Sequence, residues 1–552
     1  MQSITYHPRS AKGIRSATAI TVAVAVLATA CGGSDSSGEA SSPDTVAASE
    51  VSVQGTVSGP PDDSPPVAEG SIVWGIEAEP GGIDATRYAF SSSGHMVASA
   101  VFDPLAKLDE NGDAVPYLAS SIDPNADNTV WTITLPEGVT FHDGTPLDGE
   151  AVAKNLEAHR TSTITAAGTF AITDVAFDGL TATVTLDRPY ARFPLILSTQ
   201  IGYVMAPVMI DDAAYALKPV GTGPFIFSGH EPDKEWKFAK NTDYWRDGLP
   251  YLDAITFRSI PDNSERIALL SSGDLDVTYT QRPQEVQQLR ADENIKQVEY
   301  ASGDEAMLVL NTSKAPFDSL TARQAVAYAT DSATWRAEKD NVEGAANGPF
   351  APGQLGYAED NGFPKFDMTK AKELVTQYET ETGTEFEFSF TTQADVDNLA
   401  DADFFKALYE EAGMTVTVTS IPQINLVATI ATGNYEMGRF RLFNQPDPDA
   451  DSQFWRSSSI GELVSLNFPR YVNEDMDATI DKALATSDDA ERDALYQEMN
   501  TQLATDLPYI WLGRSVWVLA AEPRVNGIYA AANGSLQTVG GKTWIAELWL
   551  SR

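Results

Sequence analysis

The sequence predicts an α/β protein built as two lobes, and three observations carry that prediction. The chain has 552 residues, more than one hydrophobic core ordinarily organises. Hydrophobic residues make up 43% of it, ample for burying more than one core. Strand-like Phe386 to Phe390, a helical run from Ala402 to Ala412, Gly413 and strand-like Met414 to Thr419 give the β-α-β order that a parallel sheet requires. The formal charge is −41, from 78 acidic against 37 basic residues. Such a chain repels nucleic-acid phosphates and anionic headgroups, which excludes nucleic acid as a partner. The acids are spread along the sequence, so they read as a solvated surface rather than a trap for a cation.

Residues 1–30 read as a signal peptide: Arg9, Lys12 and Arg15 precede an apolar run from Ala17 to Ala30 that is too short for a membrane span. Cys31 is the sole cysteine, which leaves no disulfide and no cysteine nucleophile. It follows Leu27-Ala28-Thr29-Ala30, a stretch similar to a lipobox with alanine in place of the usual leucine three residues before the cysteine, so Cys31 is the expected lipid-attachment site. Residues 31–70 are Gly, Ser, Pro, Asp and Ala with few large apolar residues, a flexible tether spanning roughly 35 Å.

The first lobe is expected over 71–305, with an inserted β-rich subdomain at about 106–200. A strand at Ile72 to Ile76 leads through Glu79-Pro80-Gly81-Gly82 and Ile83-Asp84 into a helix at about Gly94 to Val101. In the insert, Trp131, Ile133 and Leu135 alternate with polar or smaller neighbours. Leu180, Ala182, Val184 and Leu186 alternate with threonines behind a hairpin turn at Asp178-Gly179. Asp148 is placed to cap a helix, and His142 sits in a turn with no second ligand at a useful spacing, which argues a structural role. Gly221, Gly223 and Pro224 suit a turn ahead of a strand at Phe225, the first two by their wide φ range. Ile255 and Phe257 alternate with Thr256 and Arg258; Asn263 or Ser264 caps the next helix, Gly273 ends it, and Leu275 to Tyr279 is a strand.

The second lobe is expected over 306–505. It holds a strand from Met307 to Leu310, a helix opened by Asp367 with Leu374 on its apolar face, and the β-α-β stretch above. One helical run extends from Asp475 through Met499. Residues 506–552 are expected to return to the first lobe, with Leu507 to Leu512 as a strand there, so the chain crosses twice and forms a hinge.

Several motifs in order, GTGPF at Gly221 to Phe225, NTDYW at Asn241 to Trp245, SGDLD at Ser272 to Asp276 and GVTFHDGTPLDGEAV at Gly138 to Val152, resemble the family 5 extracytoplasmic solute-binding proteins, the peptide and nickel binders of ABC importers. Lys314 to Asp331 and Thr432 to Glu436 extend the resemblance, which covers about residues 72 to 530. It implies a two-lobed periplasmic-binding-protein type II fold (cluster C) with an extra β-rich subdomain in the first lobe. It also implies capture of a small-molecule or oligopeptide ligand in an interlobe cleft and delivery to ABC permease subunits. The body would be a monomer held at the outer face of the cytoplasmic membrane by its N-terminal lipid, without a cofactor.

The same resemblance nominates site residues. Ala89, Phe90 and Ser91 fall where relatives offer main-chain hydrogen bonds to a peptide, although a plain surface loop explains them equally. Tyr279, Thr280 and Gln281 fall at a cleft position. Gly438 to Pro448 aligns with W-x-x-D-x-x-D-P, where a strand edge pairs with peptide backbone. This nominates Phe440, Arg441, Leu442 and Asn444, with Arg441 suited to a ligand carboxylate. Arg439 shares its face and is at least as well explained by a salt bridge to nearby acids. Asn444 stands where relatives carry the aspartate that grips a free α-amine; an amide does not neutralise an ammonium, so a blocked peptide, a sugar or another neutral or acidic solute stays open.

Enzyme readings lack their marks. No HExxH, GxSxG or S-x-x-K occurs, the four dispersed histidines beyond the signal peptide, His95, His142, His159 and His230, make no metal centre, and Gly540-Gly541-Lys542-Thr543 lacks the first glycine of a P-loop because Leu536 holds its place. The pair Asp447 and Asp449 is too ordinary in so acidic a chain to argue glycosidase chemistry. A surface hydrolase and a sensing or adhesion lipoprotein remain the alternatives from other classes.

Overall fold

The alternating apolar runs form three main sheets. The computed structural model describes residues 56–62, 64–109, 112–300, 304–443, 447–461, 464–528 and 545–551. The signal segment, Cys31, the tether up to residue 55, Asn444 and the P-loop look-alike at 540–543 lie outside the described residues.

The largest sheet has eight strands, in the order Thr56–Ser58, Lys296–Tyr300, Trp517–Ala521, Val277–Thr280, Ser71–Ile76, Ala254–Ser259, Glu235–Lys240 and Phe225–Glu231. Its centre is parallel: Ile72 lies opposite Ile255, and Trp74 opposite Phe257 and Val277. Those side chains, with Trp236, Phe238 and the Met96, Val97 and Val101 face of helix Ser92–Val101, make one continuous core. A second sheet runs Thr415–Ile421, Glu387–Gln393, Met437–Phe443, Asp304–Leu310 and Tyr509–Arg514. Glu387–Gln393 and Thr415–Ile421 pair in parallel across helix Val396–Ala412, as the β-α-β pattern predicts. A four-stranded antiparallel sheet, Ser121–Pro124, Val130–Thr134, Thr181–Leu186 and Ile172–Asp178, carries the alternation read from the sequence, with Trp131, Ile133, Ala182, Val184 and Leu186 buried. Asp148 caps helix Gly149–Thr161, accepting from Ala151 N–H at 2.9 Å.

The sequence motifs turn out to be mutual fastenings. Buried Asp103 accepts from Thr222 Oγ1 (2.9 Å), Tyr244 Oη (2.9 Å) and Trp245 Nε1 (2.8 Å), so GTGPF and NTDYW meet on one carboxylate. Asp276 of SGDLD accepts from Val73 N–H at 2.7 Å, tying its strand to the neighbouring one. His142 Nε2 lies 2.9 Å from the Gly223 carbonyl and its backbone N–H donates to Gly221 O, while burial pushes its pKa down, a structural role as expected.

Several expectations change. Neither Gly221 nor Gly223 has a positive φ; what excludes a side chain is contact, since an added Cβ would stand 2.0 Å from the Val101 carbonyl oxygen at Gly221 and 2.5 Å from its carbon at Gly223. The cap of helix Asn263–Ser272 is Asp262, not Asn263 or Ser264. The expected single helix from 475 to 499 is two, Glu474–Ala485 and Asp489–Asp506, because Asp488 starts a new N-cap. The tether is not free to residue 70: Thr56–Ser58 adds an edge strand beside Lys296–Tyr300, and Asp62 pairs with fully buried Lys296 at 3.0 Å. Residues 507–512 do not join the first sheet. Tyr509–Arg514 pairs with Asp304–Leu310 in the five-stranded sheet, and the crossing to the eight-stranded sheet comes between Arg514 and Trp517. The strands that flank the two crossings are neighbours, with Glu305 opposite Arg514 in one sheet and Tyr300 opposite Trp517 in the other.

Candidate functional site

The site is assembled where the carboxyl end of a central parallel strand meets a strand of the other sheet, the position at which open α/β sheets leave a crevice. Ser71–Ile76 ends at Glu77, and the neighbouring strand Val277–Thr280 brings Tyr279 beside it. Glu77 N–H donates to Tyr279 Oη at 3.4 Å, and Tyr279 Oη shares a 3.0 Å hydrogen bond with Ser93 Oγ in the first turn of helix Ser92–Val101. Arg266, 1% exposed, lies over the Tyr279 ring at 5.7 Å and is held by the Ile260 carbonyl at 2.6 Å. Burial raises the Glu77 pKa above the ordinary carboxylate value; the charges of Arg266 and then Arg441, and the Tyr279 hydroxyl, oppose the rise. Arg441 comes from the five-stranded sheet, so the electrostatic contact spans the two sheets.

Arg441 is half-buried, and its guanidinium has no hydrogen-bond or ion-pair partner among the described residues. It also faces Glu343, whose pKa burial pushes up against the pull of Arg441, Arg439 and Lys339. Glu343 is 6% exposed and its Oε2 is buried without a hydrogen-bond partner. Arg439, two residues earlier on the same strand face, is buried and tied into its own sheet, although its Nε has no hydrogen-bond partner. It pairs with Asp401 at 3.4 Å, covers the Trp335 ring at 5.6 Å and donates to the Phe440 carbonyl at 2.8 Å.

Strand Met437–Phe443 pairs along its whole length with Asp304–Leu310, but on its other side only Met437 and Gly438 pair with Glu387–Gln393. From Arg439 onward that edge has no neighbouring strand among the described residues. An extended ligand can add to such an edge through main-chain hydrogen bonds. The side chains of Phe440 and Leu442 point away from the charged cluster: Phe440 packs edge-on against Phe468 at 5.0 Å, and Leu442 is buried in the core shared with the four-stranded sheet.

The other nominated residues divide. Gln281, next to the Tyr279 strand, is half-buried with an unpartnered Oε1, whereas Thr280 is 1% exposed and accepts from Arg282 N–H at 3.2 Å to shape the following turn. The Phe90 N–H is already bound to Gln200 Oε1 at 3.1 Å, while Gln200 Nε2 donates to the Ala85 and Tyr88 carbonyls at 2.7 and 2.6 Å. Ser91 accepts from Gly94 N–H as the helix cap. The loop is therefore a clamped element, and Ala89 faces a cavity of about 220 Å³ rather than the charged cluster. The pair Asp447 and Asp449 is gripped by fully buried Arg492, and Tyr496 Oη donates to Asp449 at 2.6 Å, so these acids brace the segment after the strand.

Sequence reasoning missed Glu77, Ser93, Arg266 and Glu343. Glu77 had a readable signal, its place at the end of a buried strand; Glu343 follows a short helix, in a stretch with no period to point to it.

The profile of the bacterial extracellular solute-binding proteins, family 5 middle, matches residues 113–462. The glutathione-binding protein GsiB of Pectobacterium atrosepticum is 27% identical over 461 residues, covering 80% of this chain and 88% of that one. Among solved structures, DppA from Helicobacter pylori in complex with the peptide STSA superposes with a TM-score of 0.78 at 24% identity, covering 88% of this chain and 99% of that one. NikZ from Campylobacter jejuni in complex with Ni(L-His) gives 0.71 at 22% identity, covering 84% and 99%. These likenesses show the expected fold, the α/β periplasmic-binding-protein type II architecture.

Proposed function

The chain belongs to family 5 of the bacterial extracellular solute-binding proteins, and we propose that it captures a peptide-like solute in the cleft between its two lobes and hands it unchanged to the permease of an ABC importer. The observation that carries this reading is Arg441, a guanidinium with no partner among the described residues, on one sheet, whose charge acts on Glu77 at the end of a strand of the other. Arg441 takes the solute's carboxylate. Glu77 and Glu343 supply acceptors for an amine or amide, Gln281 offers its free oxygen, and the open edge beside Phe440 and Leu442 takes the backbone. Contacts drawn from both lobes favour the shut state and shift a hinge equilibrium about the paired crossings. The glutathione and peptide ligands named for GsiB and DppA agree in chemistry with such a site.

The mature protein acts as a monomer, anchored through lipid on Cys31 and held off the outer face of the membrane by the tether. A non-peptide solute is the second reading, favoured by the uncharged Asn444 and by the metal–histidine ligand of NikZ on the same fold. Native mass spectrometry of the protein purified from its source, followed by incubation with defined tripeptides and sugars, separates the readings. Retention and intact recovery of a peptide supports the first. Retention of sugar alone supports the second, and a chemically altered solute overturns both.

A further inference from the structure

The cavity that Ala89 faces is not used by the charged cluster, yet it adjoins it. Ser93, which bonds Tyr279, and His95, which lines the cavity, are both in the first turn of helix Ser92–Val101, so that turn stands between the two. Ile164, Ile196, Ile201, Phe454 and Leu466 supply apolar walls from three separate stretches of chain. Buried Asp451 and the polar side chains of His95 and Gln453 complete the wall, and Gln453 Nε2 donates to the Ala450 carbonyl at 3.3 Å. The other neutral polar side chains are engaged elsewhere. Thr199 Oγ1 donates to the Ile196 carbonyl at 2.7 Å, Thr165 Oγ1 lies 2.9 Å from His159 Nδ1, and both ends of the Gln200 amide hold the 85–90 loop. An apolar group entering here displaces none of these bonds. A cavity of about 150 Å³ is large enough for benzene, so about 220 Å³ has room for one branched aliphatic or aromatic side chain against the apolar walls.

We propose that this cavity is an apolar subsite of the solute cleft, and that the solute carries one branched aliphatic or aromatic group into it while its charged end lies at Arg441. The inference rests on the peptide-like reading above and sharpens it to a class of solute. Gly168 offers a way to close the subsite: an added Cβ there stands 3.2 Å from Ile201 Cδ1 and 3.5 Å from Gln453 Oε1, so a larger side chain projects into the space. The test is calorimetric titration of the full chain with Ala-Ala-Ala and with tripeptides carrying Leu or Phe at each position in turn. In the wild type, the best Leu or Phe peptide is expected to bind roughly tenfold to a hundredfold tighter than Ala-Ala-Ala, the range set by burying such a side chain. Gly168→Leu should erase that preference while leaving Ala-Ala-Ala binding within about twofold, because the anchor at Arg441 is untouched. Ile201→Ala, which widens the cavity, should shift the preference toward Phe, and it carries the test if Gly168→Leu fails to fold by thermal unfolding. Peptide binding with no apolar preference in the wild type, or with a preference unchanged in both variants, overturns the subsite and leaves the peptide reading standing. If no tripeptide binds the wild type, the peptide reading falls and the subsite with it.

Discussion

Replacing Arg441 by Gln removes a guanidinium that has no hydrogen-bond or ion-pair partner among the described residues. A hydrogen bond to a charged group contributes about 1.5 to 3 kcal/mol, and a planar guanidinium offers a carboxylate two of them in parallel. Because Arg441 breaks no described hydrogen bond to engage a ligand, little is subtracted beyond desolvation. The net loss is expected at about 3 kcal/mol, roughly a 150-fold weaker Kd. Part of any loss would come from Glu77 and Glu343, whose carboxylates lose a compensating charge and shift further toward the protonated form. The control that isolates the contact is a double-mutant cycle: wild type and Arg441→Gln, each titrated at neutral pH with a tripeptide and with its C-terminal amide. The amide should bind the two proteins nearly alike, and the free acid should lose most of the 3 kcal/mol. A coupling energy below about 0.5 kcal/mol, or an acid that binds Arg441→Gln as tightly as wild type, would refute the carboxylate anchor.

Asp449 supplies a pH prediction. Burial, then the neighbouring Asp447, raises its pKa from 3.8 to about 7. A carboxyl with a raised folded value stabilises the fold fully below its unfolded value and loses that contribution as pH rises through the folded one, here between about pH 4 and 7. Asp449→Asn should flatten this slope, worth at most ~4 kcal/mol, and denaturant titrations across that range measure the difference. Gly223→Ala should cost about 2 to 3 kcal/mol by driving a methyl into the carbonyl of Val101, read as a lower denaturant midpoint. Gln200→Ala removes three hydrogen bonds to the 85–90 loop; hydrogen exchange of the Phe90 amide should quicken while the central strands of the eight-stranded sheet keep their protection.

The elements legible in the sequence are those whose signal is local. Alternation at Trp131 and Ile133 gave the insert's strands, and the β-α-β run from 386 to 419 gave a parallel pair. Asp148 and Asp367 gave helix starts, since a cap bonds a backbone N–H within three residues. Motif order gave the fold, and the strand at Met437–Phe443 was legible as the one that carries Arg441. What the sequence left open depends on residues brought together from far apart. Thr56–Ser58 reads as tether because three residues have no period; it becomes a strand only because Lys296–Tyr300 presents an unpaired edge. Leu507 to Leu512 reads as a strand of the first lobe, and only the register against Asp304–Leu310 places Tyr509–Arg514 in the five-stranded sheet instead. Glu77, Arg266, Tyr279, Arg441 and Glu343 come from five separate stretches, so no spacing along the chain marks their meeting. Sequence alone determined which segments form elements and which family motifs they carry, because propensity and capping act over a few residues. The tertiary structure decided which charged groups are left unpaired at the crevice, because desolvation and pairing depend on neighbours supplied by the other sheet.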